Sequence, residues 1–461
     1  MRPYERDTTA LIVGLGRSGR AAARFLLAEG CTVLATDRQP VERLDREVRA
    51  LQAAGVTLLC GPDAPVPVER AQLVVASPGV PADSPPLVAA RARGIPVVSE
   101  IDLVADRIRG RAIAITGSNG KSTTTALVAA MLAADGRDAV ACGNYGVPLV
   151  DAVRDDAGAR WYAVELSSFQ LETVGDLGAA AAVLLNVQPD HLDRHGSLER
   201  YLELKCRVAA LRAPGAPLVW GAGDPLLDRA VAALAEPRWA VSADAPRAPG
   251  AGVRDGMLVL AAGGDDLPLL PLDELPLPGR HNVVNALAAA LASRAAGVRP
   301  DALREALRAF RPLPHRMCPV AQVGGVTFVD DSKATNVAST LAAIDAFAGT
   351  AGERLVVLLG GRDKGADFAP LAAAIAGRGA RAVAFGEAGP LVARALEQAG
   401  APPLALVPTM IEAIEEARRV ARRGDVVLLS PACASFDEFT GYEERGRRFA
   451  EHVRSLSGAA S

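Results

Sequence analysis

The sequence predicts an α/β protein of three domains, each built on a largely parallel sheet. Its 461 residues are too many for a single hydrophobic core. Short runs rich in Val, Ile and Leu alternate with Ala-rich stretches of helical periodicity, the pattern of repeated strand–helix–strand units. Two of the strands lead at once into glycine-bearing loops that open helices, an arrangement suited to phosphate groups. We place the domains at residues 1–99, 100–312 and 313–461.

Residues 1–99 are predicted to form a Rossmann-like domain. A strand at residues 9–13 leads into the glycine loop 14–19 and a helix, and the second strand ends at Asp37. An acid about 20 residues after such a loop is typical of dinucleotide-binding folds, so an NAD-dependent dehydrogenase is one alternative. The same geometry serves any nucleotide diphosphate.

The stretch 111–125 predicts a phosphate-binding loop in the central domain, because an apolar strand, a glycine loop and a helix follow one another. Gly117 and Gly120 allow the backbone to approach the phosphates closely. Lys121 supplies a positive charge to the β- and γ-phosphates, and Ser122 offers a hydroxyl group to Mg²⁺. The sequence therefore predicts a site for ATP with magnesium.

The match to the full phosphate-loop pattern is incomplete, because Ile115 stands where its first glycine is expected. A plain glycine turn and a non-catalytic nucleotide-binding protein are therefore alternatives. The lysines favour a catalytic site. Among 50 basic residues there are only four lysines, which are Lys121, Lys205, Lys333 and Lys364. The guanidinium group of arginine is planar and keeps its proton, whereas the ammonium group of lysine is compact and can lose its proton. We therefore interpret all four lysines as site residues rather than as surface residues left by chance.

Polar side chains also end two further strands of the central domain. Glu165 ends a buried apolar strand, where we expect a metal ligand rather than a core residue. His191, one of five histidines, follows the next strand, and a capping histidine is the alternative. Lys205 follows in a helical stretch. A neutral lysine amine can add CO₂ and become an anionic carbamate that binds metal; the alternative is a solvated helix lysine.

Composition excludes several classes of protein. The net charge of −3 provides no basic face for nucleic acid or an anionic membrane. No apolar run reaches the roughly 18 residues that a membrane span needs, and the first strand starts too early for a signal peptide. Six scattered cysteines without a CxxC pair fit a reducing cytoplasm rather than a zinc site or a disulfide framework. We expect a cytoplasmic protein.

The last domain is predicted to be a second Rossmann-like unit with a parallel, doubly wound sheet. Lys333 and Lys364 each follow the carboxyl end of a strand, and Ser435 follows the end of another. Strand ends of a parallel sheet share one edge, so these side chains are expected on one rim. A cationic rim of this kind predicts an anion site.

Eight motifs, taken together, resemble the Mur ligase family, the ATP-dependent amide ligases of peptidoglycan synthesis, over essentially the whole chain. They are TGSNGKSTT (116–124), ELSSFQLE (165–172), NVQPDHLDRH (186–195), PGRHNVVNALAA (278–289), PHR (314–316), DDSKATN (330–336), GGRDKGADF (360–368) and SPACASFDEF (430–439). ELSSFQ, DSKATN and SPACAS resemble the member that adds D-glutamate. One departure is Arg17-Ser18, where related members often carry Leu-Thr.

The resemblance implies a role for each matching position. The ATP site would comprise Gly117, Asn119, Gly120, Lys121, Ser122, Thr123, Asn282, Arg316 and Asp331. The UDP-linked substrate would contact Ser18, Asp37, Arg38, Gly79, Asn144 and Ser167. D-Glutamate would be held by Lys333, Thr335, Lys364, Ser435 and Tyr442. Two Mg²⁺ ions would be bound, one by Ser122 and Glu165 and one by His191 and carbamylated Lys205.

The resemblance also implies the reaction. ATP would phosphorylate the carboxylate of UDP-N-acetylmuramoyl-L-alanine, and the amine of D-glutamate would displace phosphate to form an amide. Lys121, His191 and Lys205 would be the catalytic residues, with His191 as the candidate base. A monomer is expected. A sibling ligase that adds another amino acid is the nearest alternative.

Overall fold

The computed structural model describes residues 2–154, 156–261, 266–347 and 354–458. The chain divides into two compact units. The first comprises Met1–Val187, Arg194–Leu275 and Val284–Phe310. The second comprises Gln188–Asp193, Pro276–Val283 and Arg311–Ser461. Within the described ranges, every helix is too short or too polar to span a membrane.

The first sheet lies at the start of the first unit and is entirely parallel. Its strands are β1 (Thr9–Val13), β2 (Thr32–Asp37), β3 (Thr57–Cys60), β4 (Leu73–Ala76) and β5 (Val97–Val98). Their order is β3-β2-β1-β4-β5. The order changes direction between β1 and β4, which is where open α/β sheets bind ligands. The predicted Rossmann-like arrangement is confirmed.

The second sheet, in the same unit, is mixed, in the order β14-β13-β12-β11-β10-β9-β6-β8-β7. Its strands are β6 (Ala112–Thr116), β7 (Ala139–Gly143), β8 (Trp161–Glu165), β9 (Ala181–Leu184), β10 (Leu218–Gly221), β11 (Arg238–Val241), β12 (Gly250–Arg254), β13 (Met257–Ala261) and β14 (Leu267–Pro271). Strands β12 to β14 pair antiparallel and the others pair parallel. The interior strand β6 is wholly buried, as expected for a strand covered on both faces.

The third sheet belongs to the second unit and has the order β15-β16-β20-β17-β18-β19. Its strands are β15 (Cys318–Val323), β16 (Val326–Asp330), β17 (Leu355–Gly360), β18 (Arg381–Phe385), β19 (Ala405–Val407) and β20 (Val426–Ala432). The prediction of a purely parallel sheet is wrong at one edge, because β15 pairs antiparallel with β16. Gly324 and Gly325, both at positive φ, form the two-residue hairpin turn between them.

Helices connect and cover these strands. They are α1 (Arg17–Ala28), α2 (Arg46–Ala53), α3 (Pro85–Ala92), α4 (Lys121–Ala134), α5 (Leu149–Arg154), α6 (Ser168–Leu171), α7 (Leu192–His195), α8 (Leu198–Cys206), α9 (Pro225–Ala232), α10 (Arg280–Ala295), α11 (Pro300–Ala309), α12 (Val337–Ala346), α13 (Ala369–Gly377), α14 (Gly389–Gln398), α15 (Met410–Val420) and α16 (Tyr442–Gly458). Short 3₁₀ turns occupy Val41–Arg43, Val68–Arg70, Ala105–Arg107, Arg207–Leu211 and Leu272–Glu274. The helical stretch that contains Lys205 is an α-helix up to Cys206 and continues as the 3₁₀ turn Arg207–Leu211.

Local sequence accounts for the helix ends. Thr409 and Glu412 form a capping box at the start of α15, each side chain bonding the other residue's backbone N–H. Asp224 caps α9, and Pro225 occupies its first position, where its missing N–H is not needed. These signals fix the residues at which α9 and α15 begin. In the first unit the resulting core is continuous from the first sheet to the second.

Candidate active site

The loop between β6 and α4 is pinned by Asn186, which follows β9. The backbone N–H of Asn119 donates to Asn186 Oδ1 at 2.8 Å, and Asn186 Nδ2 donates to Asn119 O at 3.1 Å. The backbone N–H of Ser118 donates to Asn186 O at 3.0 Å. Gly120 has a φ of +84°, and a Cβ there would lie 2.1 Å from Asn285 Oδ1. The loop is thus held in one conformation that only glycine fits at position 120.

The positive charge predicted for this loop lies against its own backbone. Lys121 Nζ donates to Ser118 O at 2.8 Å, so the ammonium group sits over the loop at the start of α4. Ser122 and Thr123 follow in the first turn of α4 and are buried. A helix N-terminus with a lysine beside it can bind a polyphosphate, because N–H groups and the ammonium both attract negative charge.

Glu165 ends β8, the strand next to β6, and is buried. Its Oε1 accepts a hydrogen bond from Asn144 Nδ2 at 2.6 Å. Its Oε2 is buried and has no hydrogen-bond partner among the residues that the structure describes. An orphaned carboxylate oxygen at this edge fits a magnesium ligand, since Mg²⁺ is commonly held by one carboxylate together with phosphate oxygens and water.

Lys205 is buried, with 1% of its surface exposed, so the alternative of a solvated helix lysine is wrong. Its Nζ donates to Thr116 Oγ1 at 3.2 Å and to Gly117 O at 2.8 Å. The ammonium also lies 5.2 Å from the ring centre of Tyr201. Lys205 therefore contacts the start of the phosphate loop, where β6 ends.

The first glycine loop, 14–19, uses the predicted acid internally. Asp37 Oδ2 accepts from the backbone N–H of Leu15 at 2.9 Å, and its Oδ1 accepts from that of Gln39 at 2.9 Å. Ser77, which follows β4, donates to Gly14 O at 2.6 Å. Asp37 thus shapes the loop. Ser18, Arg38 and Gly79 lie at the same carboxyl edge of the first sheet, with Arg38 and Gly79 exposed.

Ser167, predicted to lie near the reacting end of the substrate, caps α6. Its Oγ accepts from the backbone N–H of Gln170 at 3.2 Å and contacts Gln170 Oε1 at 3.0 Å. Ser167 lies two residues after Glu165, the last residue of β8, on the edge that carries the phosphate loop. Its capping bonds fix the direction of the chain after the metal-ligand candidate.

In the second unit, three loops predicted to hold D-glutamate come together at one edge of the third sheet. They follow β16, β20 and β17, which are parallel neighbours. Lys333 Nζ donates to Tyr442 Oη at 2.9 Å and lies 4.7 Å from that ring's centre. Ser435 is buried in the loop after β20. The predicted common rim is therefore confirmed, whereas ligand binding by these residues stays a prediction.

Arg445, in α16, is a residue that the sequence reasoning missed. It is completely buried and donates from Nη2 to Ser332 O at 2.8 Å and to Cys433 O at 3.1 Å. Burial lowers the pKa of its guanidinium group to about 10. Because it binds the loops after both β16 and β20, it fixes Lys333 and Ser435 relative to each other. In an arginine-rich sequence the only available signal was the glycine that follows it inside a helix, Gly446.

Asp190 was also missed, and it contacts two residues of the rim. Its Oδ1 lies 3.5 Å from Lys364 Nζ, and its Oδ2 accepts from Asn336 Nδ2 at 3.3 Å. His191, the next residue, has a φ of +54°. Thr335 donates its backbone N–H to Lys333 O at 2.9 Å, which shapes the turn before α12. Lys364 thus has an acidic partner within the second unit.

The remaining nucleotide-site candidates of the second unit are Asn282, Arg316 and Asp331. Asp331 accepts from Ser430 Oγ at 2.8 Å, and burial raises the pKa of its carboxyl group to about 7. Asn282 donates from Nδ2 to Pro278 O at 2.7 Å near the start of α10. Arg316 follows His315, whose Nδ1 lies 2.7 Å from Asp330 Oδ2.

The predicted second metal pair is divided between the units, because His191 belongs to the second and Lys205 to the first. Across the described ranges, no group of three or more His, Cys, Asp or Glu side chains could hold a metal ion. A magnesium site here therefore needs phosphate oxygens or water in addition to Glu165. The second ion stays a prediction.

Three family models match the chain in order. They are the Mur ligase MurD-like N-terminal domain at residues 8–99, the Mur ligase middle domain at 115–293, and the Mur ligase glutamate ligase domain at 315–433. Together they span the three sheets apart from the first three residues of β6.

Curated relatives match almost end to end. The chain is 42% identical to the UDP-N-acetylmuramoylalanine--D-glutamate ligase of Acidobacterium capsulatum, over 98% of this chain and 97% of that one. It is 39% identical to the enzyme of the same name from Pelotomaculum thermopropionicum, over 97% of each chain. Identity at this level over the whole length relates the chains as members of one family.

Solved structures share the fold at low sequence identity. The UDP-N-acetylmuramate-alanine ligase MurC of Thermotoga maritima is similar with a TM-score of 0.60 and 20% identity, over 97% of this chain and 99% of that one. The MurF ligase of the same organism, solved in complex with ADP, is similar with a TM-score of 0.59 and 16% identity, over 99% and 96%. These likenesses establish a three-domain α/β fold.

Proposed function

The chain belongs to the Mur ligase family, and from this premise we propose that it joins D-glutamate to UDP-N-acetylmuramoyl-L-alanine at the expense of ATP. The products are the amide, ADP and phosphate. The reaction is a step in the synthesis of peptidoglycan precursors. It is the activity of the curated relatives at about 40% identity.

One observation carries the proposal: a phosphate loop and an orphaned buried carboxylate share the edge of one sheet. Lys121 lies over the loop after β6, and Glu165 ends the adjacent strand β8. Glu165 Oε2 has no hydrogen-bond partner among the described residues. A buried, unpaired carboxylate oxygen is costly, and a cation brought in with a nucleotide would remove that cost.

The chemistry requires an activated carboxylate, because a carboxylate is a poor acyl donor. Transfer of the γ-phosphoryl group of ATP to the L-alanyl carboxylate forms an acyl phosphate and ADP. The neutral amine of D-glutamate then attacks the acyl carbon, and phosphate leaves with the bonding electrons. We propose that Lys121 binds the phosphates, that Asn282, Arg316 and Asp331 complete the ATP site, and that His191 accepts the proton released by the amine.

The residues proposed for D-glutamate match its charge. Its two carboxylates need cations, and Lys333 and Lys364 follow strands on one edge of the third sheet. Ser435, Thr335 and Tyr442 supply hydroxyl groups around them. We also propose residues for the UDP-linked substrate. Its UDP group would lie near Ser18, Asp37, Arg38 and Gly79, and its L-alanyl group near Asn144 and Ser167.

Two magnesium ions are proposed, held by Ser122 with Glu165 and by His191 with a carbamylated Lys205. When bound, they would offset negative charge on the transferred phosphoryl group. The position of Lys205 supports this proposal, because its buried Nζ lies at the phosphate loop, 2.8 Å from Gly117 O.

Domains at 1–99, 100–312 and 313–461, a monomeric state and a cytoplasmic location complete the proposal. The six free cysteines, none paired in a disulfide, support a reducing compartment.

The deciding experiment measures phosphate release from ATP in the presence of Mg²⁺. It compares UDP-N-acetylmuramoyl-L-alanine alone, D-glutamate alone, both together, and the nucleotide with L-glutamate. Release only with the nucleotide and the D-isomer is expected. Release with a different amino acid would keep the family and reject this substrate, and no release under any pairing would reject the ligase. In the same assay Lys205→Ala should lose activity and recover part of it with added acetate; full activity without acetate would exclude the carbamate.

A further inference from the structure

Arg17, at the first position of α1, reaches out of the first glycine loop to a turn of the second sheet. Its Nη1 donates to Gly146 O at 3.0 Å. Its Nη2 donates to Asn144 O at 2.8 Å and to Gly143 O at 3.3 Å. One guanidinium group therefore binds three carbonyl groups within four residues, which its planar fork of donors permits and a lysine could not reproduce.

The turn 143–146 that Arg17 binds is built tightly onto the end of β8. The backbone N–H of Asn144 donates to Glu165 O at 3.0 Å, and that of Gly143 donates to Val147 O at 2.9 Å. A Cβ on Gly143 would lie 2.4 Å from Glu165 O. The side chain of Asn144 then donates to Glu165 Oε1 at 2.6 Å, which leaves Oε2 as the oxygen without a described partner.

We propose that Arg17 is a positioning residue that orients Glu165 for its metal ion through the turn 143–146 and Asn144. This proposal rests on the proposed function only in taking Glu165 as a magnesium ligand. The first glycine loop then has a second role, because Arg17, the first residue of α1, also orients Glu165 at the phosphate-loop site. Without Arg17 the three carbonyl groups would turn to water, and Asn144 would hold Glu165 less firmly.

The same helix provides a matched control. Arg24 lies two turns further along α1. Its Nη2 forms an ion pair with Asp151 Oδ2 at 3.0 Å, and Asp151 lies in α5, the helix between β7 and β8 of the second sheet. Arg24 has no bond to the turn 143–146 in the described structure. If a substitution only weakens the contact between α1 and the second sheet, the effect should appear at both Arg17 and Arg24. If it disturbs the orientation of Glu165, the effect should appear only at Arg17.

The test measures binding of Mn²⁺ in the presence of ADP by electron paramagnetic resonance, a readout independent of ligation. Arg17→Met is expected to weaken Mn²⁺ binding about three- to tenfold, the scale of a few partly exposed hydrogen bonds. Arg17→Lys is expected to show a smaller loss, and Arg24→Met a change below about twofold. Asn144→Ala should also weaken binding, and adding Arg17→Met to it should produce little further loss, because both act along one path.

Several results would overturn the proposal. They are wild-type affinity in both Arg17 variants, an equal loss in Arg24→Met, an undiminished Arg17 effect in the Asn144→Ala background, and no Mn²⁺ binding by the wild type. If Arg17→Met does not fold, Arg17→Lys carries the comparison. A wild type that binds Mn²⁺ with ADP, depends on Arg17, and forms no amide would reject the proposed function and leave this inference standing.

Discussion

Two glycine loops of the first unit share a sequence pattern and differ in what their cations do. Loop 14–19 follows β1 and loop 117–121 follows β6, and each opens a helix. In the first loop, Arg17 donates its hydrogen bonds outside the loop, to carbonyl groups of the turn 143–146. In the second, Lys121 folds back onto Ser118 O, over its own loop.

The glycines of the two loops also serve different needs. Gly120 has a left-handed φ of +84°, which a side chain would strain. Gly19 has an ordinary φ, but a Cβ there would lie 1.9 Å from Gly14 O, so it is needed for close approach of α1 to the loop. The comparison teaches that a strand–glycine–helix pattern predicts a phosphate-compatible turn, whereas the direction of the neighbouring cation decides its task.

Exchanging the cation of the second loop should have the largest effect. Lys121→Arg is expected to lower turnover by about 10²-fold or more, because a planar guanidinium group cannot occupy the place of a compact ammonium over the loop. The measurement is steady-state phosphate release, with Arg17→Lys as the reciprocal exchange and an expected loss below about tenfold. Near-normal turnover in Lys121→Arg would show that the lysine has no special role.

Alanine substitutions at Gly120, Gly19 and Gly94 should separate strain from crowding, because only the first two place a Cβ against a close atom. Gly120→Ala combines a left-handed φ with a clash against Asn285, so we expect its melting temperature to fall by roughly 5–10 °C. Gly19→Ala should fall by a similar amount through a backbone clash alone. Gly94 is the control. It has a φ of +68°, but a Cβ placed there would have no other residue's atoms within 4 Å apart from its chain neighbours. Gly94→Ala should therefore lose only about 2–4 °C in melting temperature. Equal losses in all three variants would contradict the distinction.

The smallest expected effect concerns the segment that joins the two sheets. Burial raises the pKa of Glu100 to about 7, and its Oε2 accepts from the backbone N–H of Val150. Between its ordinary pKa of 4.5 and 7 the folded chain keeps a proton that the unfolded chain loses, so this group makes the free energy of unfolding decrease as pH rises. Glu100→Gln should remove that part of the decrease.

The measurement compares melting temperatures at pH 5 and pH 8 in the wild type and Glu100→Gln. The fall between the two pH values is expected to be a few degrees smaller in the variant. Asp331, whose pKa is also raised to about 7 by burial, contributes equally to both proteins and cancels in the difference. An unchanged fall would mean that Glu100 does not titrate in this range.

Much of the fold could be predicted because its signals are local. The strands before both glycine loops, α1, and the strands that precede Lys333 and Lys364 follow from apolar runs and turn residues that lie next to each other in the chain. The edge strand β19 was missed because it has only three residues and lies in a four-residue stretch bounded by Pro402 and Pro403 on one side and Pro408 on the other. The antiparallel β15 was missed because its glycine turn was not interpreted as a hairpin.

The candidate site was predictable where a residue type is unusual in its setting, as with a rare lysine or an acid that ends an apolar strand. Lys205 and Glu165 are both buried at the phosphate loop's edge, as that logic suggested. Arg445 and Asp190 were missed because arginine and aspartate are common in this chain and because their partners Ser332 and Asn336 lie more than 100 residues away. Their roles exist only through distant contacts.

The sequence by itself determined the order of strands and helices, the two glycine loops and the identity of the chemically able residues, because these depend on neighbours within a few positions. The tertiary structure alone decided which of those residues act together. It directed Arg17 to the turn beside Glu165 and set Arg445 between two loops. It also left one oxygen of Glu165 without a partner among the described residues. Arg17 and Asn144 are 127 residues apart, and Arg445 and Ser332 are 113 residues apart, so no local pattern carries the information for these pairings.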